Sequence, residues 1–105
     1  MLYKGRWGAE MKYEWDPDKA DSNLDKHDID FGDAAEALDD PHRLEDPDPH
    51  KDEERTRVLC LYEPRMAVLF VVTAEPEEGV CRIISARRAN RNEQERYWKN
   101  RSLQP

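Results

Sequence analysis

An α+β domain, with a small antiparallel sheet preceded by two helices and followed by one, is the fold class this sequence predicts. Two observations carry that prediction. Three β-rich apolar stretches succeed one another from Arg55 to Arg87 with short turns between them, the pattern of an antiparallel meander. Helix-start signals stand ahead of the meander at Asp16-Pro17 and at Asp30, and a basic helical segment follows it. With 105 residues there is room for one thin core and no second domain.

Residues 1–10 show neither helical nor strand periodicity and precede a second methionine, Met11. They are expected to form a loosely ordered extension to a single domain over residues 11–105. Lys12-Tyr13-Glu14-Trp15 alternates polar and aromatic side chains, as a half-buried first strand does. Asp16 then caps a helix whose first residue, Pro17, loses nothing by lacking an N–H. That helix is expected to reach about Lys26, with Ala20, Leu24 and His27 along a narrow buried stripe.

Asp30, with Asp33 in the place a capping box gives to Glu, starts a second helix over about Phe31–Leu38 that buries Ala34, Ala35 and Leu38. Asp39-Asp40-Pro41 ends it, because the residue before proline is biased out of the helical region. Residues 41–54 hold three prolines among many acids and read as a loop with a short edge strand at His42–Glu45. Strands follow at Arg55–Tyr62, Met66–Ala74 and Val80–Arg87; the middle one is apolar on both faces and is expected at the centre. A helix from Asn90 to Arg101 closes the chain's pattern. In this arrangement the helices cover one sheet face and leave the other open.

The net charge is -7, which argues against general affinity for nucleic acid. Its distribution is uneven: residues 16–54 carry 4 basic and 16 acidic groups, residues 55–105 carry 10 and 6. A basic surface meeting phosphate and an acidic surface repelling it, or meeting a basic partner, are expected from that division. The longest apolar run, Met66–Val72, falls far short of the roughly 20 residues that cross a bilayer, and no apolar leader is visible, so a soluble, cytoplasmic protein without membrane contact is expected. Cys60 and Cys81 lie in β-rich apolar stretches and read as buried free thiols. His42, Asp46, Asp48 and His50 are metal-ligand types close in sequence, but the intervening prolines fix no ligand geometry, and no metal site is expected.

The run Arg82-Ile83-Ile84-Ser85-Ala86-Arg87-Arg88 is the most informative segment. Strand alternation sets Arg82, Ile84 and Ala86 on one face and Ile83, Ser85 and Arg87 on the other. Arginine beside a core is costly unless it meets an acid or a phosphate, so these residues are either structural partners of the many carboxylates or a guanidinium cluster that grips phosphate.

The strings Glu14-Trp15-Asp16-Pro17 with Lys19, Asn23-Leu24 with Lys26-His27 and Phe31, Glu54-Arg55, and Arg82–Ala89 followed by Tyr97 resemble the BrnT family of bacterial type II toxins, in the RelE-like ribonuclease superfamily. The resemblance runs in order over residues 12–98. It departs from the family pattern at Asp28 and at Leu61-Tyr62, where the family tends to have glycine. It implies a RelE-like fold and a metal-independent endoribonuclease without cofactor. It also implies an adjacent BrnA-like, DNA-binding antitoxin, contact with DNA only through that antitoxin, and a dimer or hetero-tetramer.

In such chemistry a 2′-hydroxyl attacks the adjacent phosphate while a base, an acid and cations serve the transition state. His27, Arg55, Arg82, Arg87 and Arg88 are the catalytic candidates; Lys26, Glu54, Arg91, Arg96 and Tyr97 are the candidates for holding RNA, the last by stacking. The alternative is a toxin-like binding module of weak or no activity that pairs with an antitoxin and contributes to operon repression, a reading that the acidic surplus between Asp16 and Glu54 favours.

Overall fold

Local capping chemistry sets the helices, and long-range pairing sets the sheet. The computed structural model describes residues 2–4, 10–49 and 54–103. Its order is β1 (Leu2–Lys4), β2 (Glu10–Glu14), α1 (Pro17–His27), α2 (Phe31–Ala37), β3 (Leu44–Asp48), β4 (Arg55–Tyr62), β5 (Ala67–Glu77), β6 (Val80–Arg88) and α3 (Arg91–Ser102). Asp16 accepts from the Asp18 N–H at the start of α1, with Pro17 in the first turn, and Asp28 ends the helix in the left-handed region at φ 57°. Asp28 thus does without glycine what glycine does elsewhere, and its carboxylate is tied to Arg65 at 3.1 Å. Asp30 caps α2 through the Gly32 N–H at 2.6 Å. Asn90 and Glu93 form a reciprocal capping box at the head of α3.

The sheet order is β1-β2-β6-β5-β4-β3. β4, β5 and β6 form the expected meander with β5 at its centre, but β2 pairs β6 in parallel, Tyr13 beside Cys81 and Glu14 beside Arg82. The sheet is therefore mixed rather than purely antiparallel, because the α1–α2 excursion and the meander bring β6 back alongside β2 in the same direction. Leu2–Lys4 pairs with Glu10–Lys12 as an edge strand, where the sequence suggested a loose extension; residues 5–9 of that extension lie outside the described residues. The edge strand expected at His42–Glu45 is shifted onward to Leu44–Asp48.

Both faces of the sheet are covered in part, which corrects the expectation that helices lie on one face only. On the first face α1 and α2 enclose the main core: Met11, Tyr13, Ile29, Phe31, Ala34, Leu38, Val58, Cys60, Leu69, Val71 and Ile83. On the second, Tyr97 of α3 packs with Leu59, Leu61, Val68 and Ala89. Strand residues one apart alternate between these clusters, as Val58 and Cys60 do with Leu59 and Leu61. In α1 the buried residue is Asn23, while Leu24 and His27 are exposed, because the helix lies on β6 through a polar contact rather than an aliphatic stripe. No helix among the described residues is long and apolar enough to cross a membrane.

Candidate active site

Among the described residues no helix covers the second face beyond α3, and a bulge in β6 decides what stands on it. Thr73 pairs with Ile83 but Val72 pairs with Ser85, so Ile84 has no opposite residue. Alternation is reset at that point. Ile83 and Ala86 both enter the α1–α2 core, and Arg82, Ser85 and Arg87 share the opposite face, against Ala74, Val72 and Phe70. On the far side of β5, Arg55 and Arg57 of β4 stand opposite Ala74 and Val72. Four arginines and a serine hydroxyl are thereby gathered over three apolar side chains. Unbroken alternation would have sent Arg82 and Arg87 to opposite faces.

Arg82, Arg57 and Arg87 each meet a carboxylate of the same chain. Arg82 places Nε and Nη2 at 2.9 and 2.8 Å from Glu14 Oε2. Arg57 Nη2 donates to Asp48 at 2.7 Å across the β3–β4 pair. Arg87 donates through Nη1 and Nη2 to the two oxygens of Glu93 at 2.8 and 3.1 Å, and its Cζ lies 4.1 Å from the centre of the Phe70 ring. Beyond the face, Arg96 makes a two-pronged contact with Asp46 at 2.6 and 3.1 Å. These bonds hold the Glu93 and Asp46 carboxyls below their ordinary pKa values, with the arginine hydrogen bond the largest cause in both. The acid surplus is thus spent in part on fixing guanidinium groups in place.

Residues 15–93 match the family described as the ribonuclease toxin, BrnT, of type II toxin-antitoxin systems. The chain belongs to the BrnT family. The crystal structure of the Brucella abortus ribonuclease toxin BrnT has the same fold: TM-score 0.58 at 24% identity, covering 77% of this chain and 99% of that one. No curated protein sequence matches significantly. The BrnT match reaches from the end of β2 to Glu93 in the first turn of α3, and so takes in the whole arginine face.

Measured against that BrnT core, the residues singled out in the sequence fall into three groups. Arg55, Arg82 and Arg87 are brought together on the bare face, with the exposed Glu54 one residue before β4. Lys26 and His27 are exposed at the C-terminal end of α1, and Arg88 pairs beside the core residue Leu69; these three belong to the helix-covered side and do not share a face with the cluster. Arg91, Arg96 and Tyr97 ride on α3. Arg91 is paired with Glu95 and Arg96 with Asp46, while Tyr97 is fully buried with its hydroxyl on Asp40 and presents no ring surface for stacking.

Asp46 and Asp48 are engaged by Arg96 and Arg57, His50 lies outside the described residues, and no group of three metal-ligating side chains occurs among the described residues. Sequence reasoning missed Arg57, Phe70 and Glu93. Arg57 had a signal, since it stands two residues from Arg55 on one strand and so on the same face.

Proposed function

We propose that this chain is an active BrnT ribonuclease and that it cleaves RNA across the arginine-bearing face of the sheet. The observation that carries the reading is the convergence of Arg55, Arg57, Arg82 and Arg87 on one bare face, produced by the bulge at Ile84. Cleavage by the RNA's own 2′-hydroxyl forms a bond from that oxygen to phosphorus and breaks the bond to the 5′-oxygen, leaving a cyclic phosphate and a 5′-hydroxyl. Negative charge grows on the non-bridging oxygens along the way. Guanidinium groups fixed by Glu14 and Glu93 meet that charge without having to reorganise, which is where a preorganised site gains most. The half-buried ring of Phe70, covered on one side by Arg87, would lie beneath the ribose and base of the strand so held.

A type II family implies an antitoxin partner. That it is a BrnA-like DNA-binding protein, and that the pair assembles as a dimer or hetero-tetramer touching DNA only through the antitoxin, belong to the same proposal.

The test is cleavage of a defined RNA by the purified chain in EDTA, with and without translating ribosomes, beside Arg82→Ala, Arg87→Ala and His27→Ala. Loss of about a hundredfold in each arginine variant, at unchanged folded fraction, is expected. Retention of parental cleavage by both would overturn the reading, and loss in His27→Ala alone would move the site to the end of α1.

A further inference from the structure

Arg87 is held on three sides. Its ring-facing side rests on Phe70 at 4.1 Å, Nη1 donates to the Arg88 carbonyl at 3.1 Å and to Glu93 Oε1 at 2.8 Å, and Nη2 donates to Glu93 Oε2 at 3.1 Å. A guanidinium has five N–H donors in a planar fork. Glu93 takes the end of the fork, so the edge formed by Nε and the second Nη2 proton has no acceptor among the described residues. The side chain is about a third exposed, at 36%. Arg82 differs, because Glu14 occupies that same edge through Nε and Nη2.

Glu93 is itself immobilised. Oε1 accepts the Asn90 N–H at 2.8 Å, and the Asn90 side chain accepts the Glu93 N–H at 2.9 Å, so the capping box of α3 fixes the carboxylate that fixes the arginine. Resting on the reading of the bare face as the RNA site, we propose that Glu93 is a positioning residue for the cleavage reaction: it clamps the end of the Arg87 fork so that the remaining edge points out as a two-pronged donor for one RNA phosphate. An arginine–carboxylate pair carries no net charge, so what it offers the phosphate is direction rather than field. The paired acid is thereby an element of the site and not a competitor for it.

The experiment compares the steady-state constants of the full chain on a defined RNA for the parent, Glu93→Gln, Arg87→Ala, the double variant, and Asn90→Ala, with folded fraction measured in each. Glu93→Gln keeps the size and one acceptor while releasing one prong of Arg87. It is expected to lower kcat about ten- to a hundredfold with KM changed by less than about threefold, since the contact matters most as charge develops. In the Arg87→Ala background the same change is expected to do nothing more, and Asn90→Ala, which loses the side-chain cap but keeps the Asn90 N–H on Glu93 Oε1, is expected to lower kcat per folded molecule less than Glu93→Gln does. Unchanged or raised kcat in Glu93→Gln would overturn the proposal, the latter making Glu93 a mask. A further loss in the Arg87→Ala background would also overturn it, making the residue merely structural. If Arg87→Ala itself cleaves like the parent, what falls is the reading of the face on which the proposal rests.

Discussion

Asn23 brackets the peptide of Ala86. Its Nδ2 donates to the Ala86 carbonyl at 2.7 Å and to the Ile29 carbonyl at 3.1 Å, while its Oδ1 accepts the Ala86 N–H at 3.1 Å. The contact falls where β6 runs on past its last pairing with β2 at Arg82, so a side chain from α1 takes the place of the missing strand. Asn23→Ala leaves three buried backbone groups without that partner and is expected to cost about 2–4 kcal/mol. Asn23→Asp is expected to be no better, since it removes the donor that serves two carbonyls. Urea melts of the two variants check this, and a change under about 0.5 kcal/mol would contradict it.

A second buried polar link ties the turn after α2 to α3. Asp40 accepts the His42 N–H on one oxygen, and the Leu61 N–H and the Tyr97 hydroxyl on the other, at 2.8, 2.9 and 2.5 Å; Arg101 in turn donates to the Tyr97 oxygen at 3.0 Å. Because both Asp40 oxygens accept, Asp40→Asn must turn an amide N–H toward a donor whichever way it flips. It is therefore expected to destabilise more than Tyr97→Phe, which loses one bond at about 1–2 kcal/mol. Thermal melts that rank the two variants the other way would refute the argument.

Acid should weaken the α3 attachment in a definable window. Glu93 and Asp46 have pKa values lowered in the folded chain, mainly by hydrogen bonds from Arg87 and Arg96. A carboxyl with a depressed folded pKa contributes fully above its unfolded value, near 4.5 for Glu and 3.8 for Asp, and that contribution disappears as pH falls through the folded value. Asp39 works the other way, because burial raises its pKa and protonation relieves it. The parent is thus expected to lose more stability than Glu93→Gln between about pH 5 and pH 3, measured by urea melts across that range. Parallel curves would show that the Arg87–Glu93 pair contributes nothing to stability, as many exposed pairs do not.

Cys60 and Cys81 are both fully buried on the α1–α2 side of the sheet, and burial pushes the Cys60 thiol far above its ordinary pKa. Thiolate is the reactive form, so native protein is expected to ignore an aromatic disulfide reagent at neutral pH and to titrate two thiols once unfolded in guanidinium. Fast reaction of either cysteine in native buffer would mean that this core opens readily.

The local elements were legible because their causes are local. Asp16-Pro17, Asp30 and the turns after Tyr62 and Glu77 act through adjacent peptide groups, and the strands of the meander carry their own apolar patterns. Non-local features were hidden for the same reason. The parallel pairing of β2 with β6 depends on how some 65 residues fold between them. The bulge at Ile84 carries no glycine to mark it, yet it alone brings Arg82 and Arg87 to one face. Alternation therefore placed Arg82 and Arg87 on opposite sides where the bulge sets them on one, and His27 stands exposed at the end of α1, away from that face.

Arg57 supplies the strictest test of the arginine face, since no sequence motif pointed to it. It stands opposite Val72 on β4, two residues from Arg55, and it is held by one bond to Asp48 with half the side chain exposed at 49%. Exchange of that exposed pair for an RNA phosphate costs little, so Arg57→Ala is expected to leave the melting temperature within about 2 °C. RNA binding by the folded variant should weaken, and the slope of log affinity against log salt should fall by about 0.7, one phosphate contact on a single strand. An unchanged slope would place the strand elsewhere; a reduced slope with Asp48→Asn binding more tightly than the parent would show that the β3 carboxylate and the phosphate compete for the same guanidinium.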